Sequence, residues 1–126
     1  MDIRNNVLGL GHLGLPSKDV DTTAAFFTQF GFEIDWKGRP DQAVFLRKGS
    51  CYIEIYKDDN AALTDGSWQH VALEVSDIEK EYEYARSLGY QALEGKICTN
   101  DCYEHGVTYF TVLGPDHERV EFWKKL

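Results

Sequence analysis

One pattern occurs twice in this chain, and that duplication limits what it can fold into more than any other feature. The run His12-Leu13-Gly14-Leu15, followed by Asp19-Val20-Asp21 and Gly31-Phe32, returns as His70-Val71-Ala72-Leu73, Asp77-Ile78-Glu79 and Gly89-Tyr90, at an offset of 58 throughout. Tyr52-Ile53-Glu54-Ile55-Tyr56-Lys57 returns as Arg119-Val120-Glu121-Phe122-Trp123-Lys124, at an offset of 67. The second copy has therefore gained nine residues, 67 minus 58, which the sequence assigns to a loop around Gly95 to His105. Two supersecondary units joined near Ala61 to Ser67 account for the chain: one module over about residues 7–60 and another over about 67–126, expected as a tandem duplication inside a single domain.

Each copy reads as strand, helix and three strands. The first strand covers Val7 to Leu15 in one copy and Trp68 to Val75 in the other. The first helix opens at Asp19. The second opens either at Ser76, paired with Glu79 in a capping box, or at Asp77. Helical spacing buries Val20, Ala24, Phe27 and Phe30 in the first copy, and Ile78, Tyr82, Ala85 and Leu88 in the second. Gly31 and Gly89 stand just beyond the helix ends, where a left-handed residue costs least. Strands follow at Phe32–Trp36, Ala43–Arg47 and Ser50–Lys57, with a Lys48-Gly49 turn. The second copy has them at Tyr90–Leu93, Val107–Leu113 and Glu118–Lys125, with a turn at Gly114-Pro115-Asp116-His117. The expected class is α+β: two βαβββ modules whose mixed, curved sheets surround a cleft.

Side chains alternate faces along a strand. Leu13 and Leu15, Ile53 and Ile55, Val71, Leu73 and Val75, and Val120 and Phe122 form aliphatic faces suited to lie under helices. His12, Glu54, His70 and Glu121 then fall on the faces that helices do not cover. Two imidazoles and two carboxylates at repeat-related positions supply nitrogen and oxygen ligands whose charge matches one divalent cation, with coordination positions left for water or substrate. Ni, Zn, Co, Mn and Fe all suit such a donor set. Trp68, Tyr52, Tyr56 and Trp123 flank these residues, either as pocket walls or as filling between the modules. Arg119 is a candidate either for neutralising an anionic substrate or for pairing with Glu118 or Asp116. His105 reads as an exposed loop residue, with pocket lining as its alternative, and His117 as a solvated turn residue.

The formal net charge of −8 argues against a nucleic-acid partner, which needs a basic patch. No apolar run reaches the ~20 residues of a membrane span, and Met1 to Asn6 lacks the layout of a secretory signal, so the expected location is the cytoplasm. Cys51, Cys98 and Cys102 are an odd number, which fits a reducing compartment. The Cys98-x3-Cys102 spacing is half of a zinc motif, but no second Cys/His pair of matching spacing follows.

From about Leu8 to Lys124 the chain resembles the vicinal-oxygen-chelate superfamily, which includes glyoxalase I, methylmalonyl-CoA epimerase, extradiol dioxygenases and the bleomycin resistance proteins. The resemblance is carried by the His12 strand, Cys51-Tyr52-Ile53-Glu54-Ile55, Gln69-His70-Val71-Ala72-Leu73 and the stretch from Gly114 to Glu121. The order His-Glu-His-Glu is most similar to glyoxalase I. This implies one divalent ion on His12, Glu54, His70 and Glu121, a small-molecule substrate with two adjacent oxygens, and often a homodimer. It also implies isomerase or lyase chemistry, in which Glu121, with Glu54 as second choice, moves a proton on an α-hydroxycarbonyl through an enediolate. Pro16 and Asp58 stand where glyoxalase I has the Arg and Asn that hold glutathione, which argues against a glutathione substrate. The alternatives are an iron-dependent extradiol-type dioxygenase, which would lack a Glu at position 54, and a non-catalytic binding protein like those of bleomycin resistance.

Overall fold

The computed structural model describes residues 2–63, 66–113, 115 and 119–126. The predicted turn residues Gly114, Asp116 and His117, and Glu118 after them, lie outside this set. The elements are a short 3-10 helix (Ile3–Asn5), β1 (Val7–Ser17), α1 (Val20–Thr28), β2 (Glu33–Lys37), β3 (Ala43–Lys48), β4 (Cys51–Lys57), β5 (His70–Val75), α2 (Ile78–Ser87), β6 (Cys98–Asn100), β7 (Val107–Leu113) and β8 (Arg119–Lys125). The order βαβββ, twice, is as the sequence predicts. The chain forms two compact units: His12–Gln69, and His70–Leu126 together with Met1–Gly11.

In the first of these, strands run in the order β2-β3-β4-β1, with β1 and β4 parallel and the other pairs antiparallel. Helix α1 covers one face. Its core is Val20 and Ala24 against Val44, Leu46, Ile53 and Ile55, with Leu15, Phe27 and Phe32 at the margin. Leu46 and Ile55 are wholly buried, and each such side chain contributes roughly 1.5–3 kcal/mol through loss of apolar surface to water. In the other unit β5, β8, β7 and β6 follow in order, β5 and β8 being parallel. Its core sets Val75, Phe110 and Val112, with Val120 and Phe122, against Ile78, Tyr82 and Ala85 of α2.

The helix termini repeat as closely as the strands. Asp19 accepts a hydrogen bond from the Thr22 amide (3.1 Å), and Asp77 from that of Lys80 (3.1 Å), so Asp77 rather than Ser76 caps α2. At the other ends Gly31 (φ 91°) and Gly89 (φ 92°) take the left-handed conformation. The Phe32 amide donates to the Phe27 carbonyl (3.3 Å) and the Tyr90 amide to that of Ala85 (3.0 Å). This is the Schellman closure, and the Phe27–Phe32 ring contact (5.6 Å between centroids) is its apolar seal.

The structure corrects four sequence expectations. Phe30 and Leu88 are exposed (64% and 56%), because each lies at the turn where the chain leaves its helix, past the edge of the sheet. Val71 is also part-exposed (38%) and outside the helix-facing core. Tyr90–Leu93 is not a strand: the Gly95 amide donates to Ala92 (3.0 Å) and curls the segment, while the Glu94 carboxylate takes the Thr111 amide (2.8 Å) that a strand would have bonded. The second strand of the second copy is Cys98–Asn100 instead. Finally, β5 begins at His70, so the alternation of faces does not extend back to Trp68.

One buried polar cluster had no sequence signal. Asn6, fully buried, donates to the Asp77 carbonyl (2.8 Å) and to Glu81 Oε2 (2.9 Å), and accepts from the Ser76 hydroxyl (2.6 Å) and the Asp77 amide (2.7 Å). These bonds tie the start of the chain to the N-terminus of α2.

Replacing Asn6 by Ala leaves the 5%-exposed Glu81 carboxylate without that donor. Loss of a buried polar network of this kind costs about 2–4 kcal/mol, so a fall of roughly 10 °C in the thermal midpoint is expected by calorimetry. A second expectation concerns Asp19. Its carboxyl is held below the ordinary aspartate value, chiefly by the Thr22 backbone hydrogen bond. The resulting stability is complete above the ordinary value and disappears as pH falls through the lowered one. Asp19→Asn keeps a cap but cannot titrate, so its acid unfolding limb should be shallower than that of the wild type in urea titrations at decreasing pH.

Candidate metal centre

The parallel strand pairs set the geometry of the two His–Glu pairs. In one unit Leu13 pairs with Ile53 and Gly14 with Glu54; in the other Val71 pairs with Val120 and Ala72 with Glu121. These are the same register, carried over by offsets of 58 and 67. Ile53, Ile55, Val120 and Phe122 face the helices, so Glu54 and Glu121 must point to the opposite faces. His12 lies two residues before Gly14, and His70 two before Ala72, which puts each His on the same face as its Glu.

His12 Nε2 is 3.6 Å from Glu54 Oε1, with the side chains 1% and 15% exposed. His70 Nε2 is 3.3 Å from Glu121 Oε2, with 7% and 13% exposed. Two donors bound at ~2.1 Å to one ion lie about 3.0 Å apart at a right angle and about 3.4 Å apart at the tetrahedral angle. Within each pair, taken by itself, the nitrogen and oxygen are close to the spacing of two neighbouring ligands on an ion.

The surroundings of the two pairs differ. Phe45, opposite Glu54 in the ladder, sets its ring edge-on to His12 (5.4 Å) and is itself backed by Trp36 (6.3 Å). The position opposite Glu121 is Thr111. Alternation could not reveal Phe45 as a site residue, because Ala43 to Leu46 is an unbroken apolar run buried on both faces. Tyr52 and Tyr56 are half-buried on the strand that carries Glu54. Trp68 turns instead to Phe27 (6.4 Å). His105 is an exposed loop residue near Glu104 (3.8 Å), and His117 lies outside the described residues. Among the described residues no helix is long and apolar enough to cross a membrane.

A sequence model of the Glyoxalase/Bleomycin resistance protein/Dioxygenase superfamily matches residues 9–122. The chain belongs to this superfamily. A bleomycin resistance protein of Klebsiella pneumoniae is 29% identical over 105 residues, covering 81% of each chain. Among solved structures, methylmalonyl-CoA epimerase from Mycobacterium tuberculosis superposes with a TM-score of 0.73 at 16% identity, over 96% of this chain and 90% of that one. The Mn(II)-bound glyoxalase of Novosphingobium aromaticivorans gives 0.66 at 16% identity, over 94% of this chain and 39% of that one. These two establish the fold, an α+β arrangement of paired βαβββ modules.

If the His–Glu pairs ligate, adding Zn(II), Co(II), Ni(II) or Mn(II) to chelator-treated protein should raise its thermal midpoint by several degrees, since a ligand at a hundred times its Kd stabilises by about 2.7 kcal/mol. The rise should vanish in His70→Ala, as read by differential scanning fluorimetry.

Proposed function

We propose that this superfamily member is a metal-dependent isomerase or lyase of glyoxalase type, in which His12, Glu54, His70 and Glu121 hold one divalent ion. The observation that carries the reading is the equivalence of the two His–Glu pairs: same register, same face, and nearly the same separation. A buried ion pair is on average no more stabilising than an apolar replacement, so stability alone is a weak reason for both copies to keep one.

When bound, the ion supplies Lewis acidity toward the two adjacent oxygens of a chelating substrate. The chain supplies the proton transfer. Glu121 takes a proton from the carbon that bears the hydroxyl and returns it to the neighbouring carbon, with Glu54 as the second candidate base. Thr111, small and polar, stands opposite Glu121 where Phe45 stands opposite Glu54. The imidazoles stay in place throughout. Glu54 weighs against the dioxygenase alternative, whose ligand set lacks this acid. Association of two chains belongs to the same proposal and rests on family membership.

A second reading is favoured by the 29% identity to a bleomycin resistance protein: a binding protein that sequesters a small molecule without converting it. The two readings separate on metal content and turnover. Purified protein analysed for metals and assayed with methylglyoxal, with and without glutathione, should contain one ion per site and show activity that does not require the thiol. Glu121→Gln should lower kcat by at least a hundredfold while preserving the fold by circular dichroism. A fully active variant would remove Glu121 from the role of base.

A further inference from the structure

The loop between β6 and β7 contains Tyr103, the only non-glycine among the described residues with a positive φ (61°). Aromatic residues rarely adopt this conformation, and such outliers persist only where the surrounding structure imposes them. Here the loop is held at several points. The Asn100 side chain accepts from the Cys102 amide (3.0 Å), and the Cys102 side chain is buried. Gly106 could not carry a Cβ, which would come within 2.6 Å of the Asn100 carbonyl, and its own carbonyl accepts from the Leu126 amide (2.9 Å).

The loop delivers the Tyr103 ring to the β8 face that carries Glu121. Arg119, Glu121, Trp123 and Lys125 alternate onto that face. Tyr103 packs edge-on against Trp123 (6.3 Å), and the Lys125 ammonium lies 4.1 Å from the centre of the Tyr103 ring. Trp123 packs close over the backbone of Gly11, where a Cβ would stand 3.4 Å from the indole. Lys125 itself has no carboxylate within ion-pair distance among the described residues. The repeat-related positions in the other unit are Tyr52, Tyr56 and Asp58 in place of Arg119, Trp123 and Lys125, so the duplicated face is cationic in one copy only. In a chain of net charge −8, a cation oriented by a strained tyrosine at this position has a use in recognition.

We propose that Tyr103 and Lys125 form an anion-recognition shelf for the substrate, which is therefore a small molecule carrying a carboxylate some distance from its chelating oxygens. This rests on the function proposed above and narrows its substrate class. Lys125 lies four residue steps along β8 from Glu121, about 13 Å between Cα atoms. The carboxylate thus lies several bonds from the carbon that Glu121 serves. Tyr103 holds the ammonium in place through its ring face and is a positioning residue; Lys125 makes the contact.

The test compares two probes with the same pair of vicinal oxygens, 3,4-dihydroxyphenylacetate and the neutral 4-ethylcatechol. Each is titrated calorimetrically into Co(II)-loaded protein and into chelator-treated protein, with cobalt content measured separately. Wild type should bind the acid at least tenfold more tightly than the neutral probe. Lys125→Met should abolish that preference and Lys125→Arg should keep it, while Tyr103→Gly, which relieves the backbone strain and removes the ring, should weaken it. Affinity for 4-ethylcatechol should be unchanged in all three. Protein that takes up no cobalt overturns the metal centre alone, and the shelf is then judged by preference in the metal-free form. Equal affinity for the two probes in wild type, or a preference that survives Lys125→Met, overturns the shelf whatever the metal content.

Discussion

A single register, used twice, is the constraint on which the rest of this structure depends. Where β1 runs parallel to β4, and β5 to β8, the pairing sets a Glu on the central strand beside the position two residues after a His. A slip of one residue in either pair would turn every side chain over, sending the carboxylate into the helix-covered core and the isoleucines or their counterparts toward water. Burial of Ile53 and Ile55 under α1, and of Val120 and Phe122 under α2, excludes that slip. The apolar face thus guarantees the polar one. The acids need no stabilising contact of their own to be correctly placed.

Duplication then diverges where function can use a difference. The capping aspartates, the left-handed glycines and the Schellman closures are nearly superimposable features of both copies. They answer to backbone requirements common to any helix joined to a strand. The faces that carry the His–Glu pairs do not match. One has Phe45 opposite its Glu and tyrosines along the strand, and the other has Thr111, Trp123 and Lys125. The added residues of the second copy supply the loop that presents Tyr103. The two acids thereby stand in unequal surroundings, as the proposed division into a base and a ligand would need.

Much of this was legible in the chain itself. The repeat offsets fix which residues are equivalent, period-2 alternation separates His12, Glu54, His70 and Glu121 from the helix-facing aliphatics, and Asp19 with Gly31 brackets a helix by local chemistry alone. Alternation failed where it carries no information. In Ala43–Leu46 both faces are apolar, so Phe45 could not be assigned to the side of His12. At Trp68 the alternating pattern runs on past the true start of the strand, His70. At Tyr90–Leu93 the composition is strand-like, yet the carboxylate of the next residue, Glu94, takes the Thr111 amide of β7.

By itself, the sequence determined the βαβββ repeat, the ends of both helices and the face on which each His and Glu stands, because these follow from interactions within a few residues or from a strict period. Only the tertiary structure decided the His–Glu separations, the buried bond between Asn6 and Glu81, and the meeting of Tyr103, Trp123 and Lys125. Those contacts join residues far apart in the chain or bent out of regular geometry, and no local pattern records which distant side chain will fill a given space once the strands have paired.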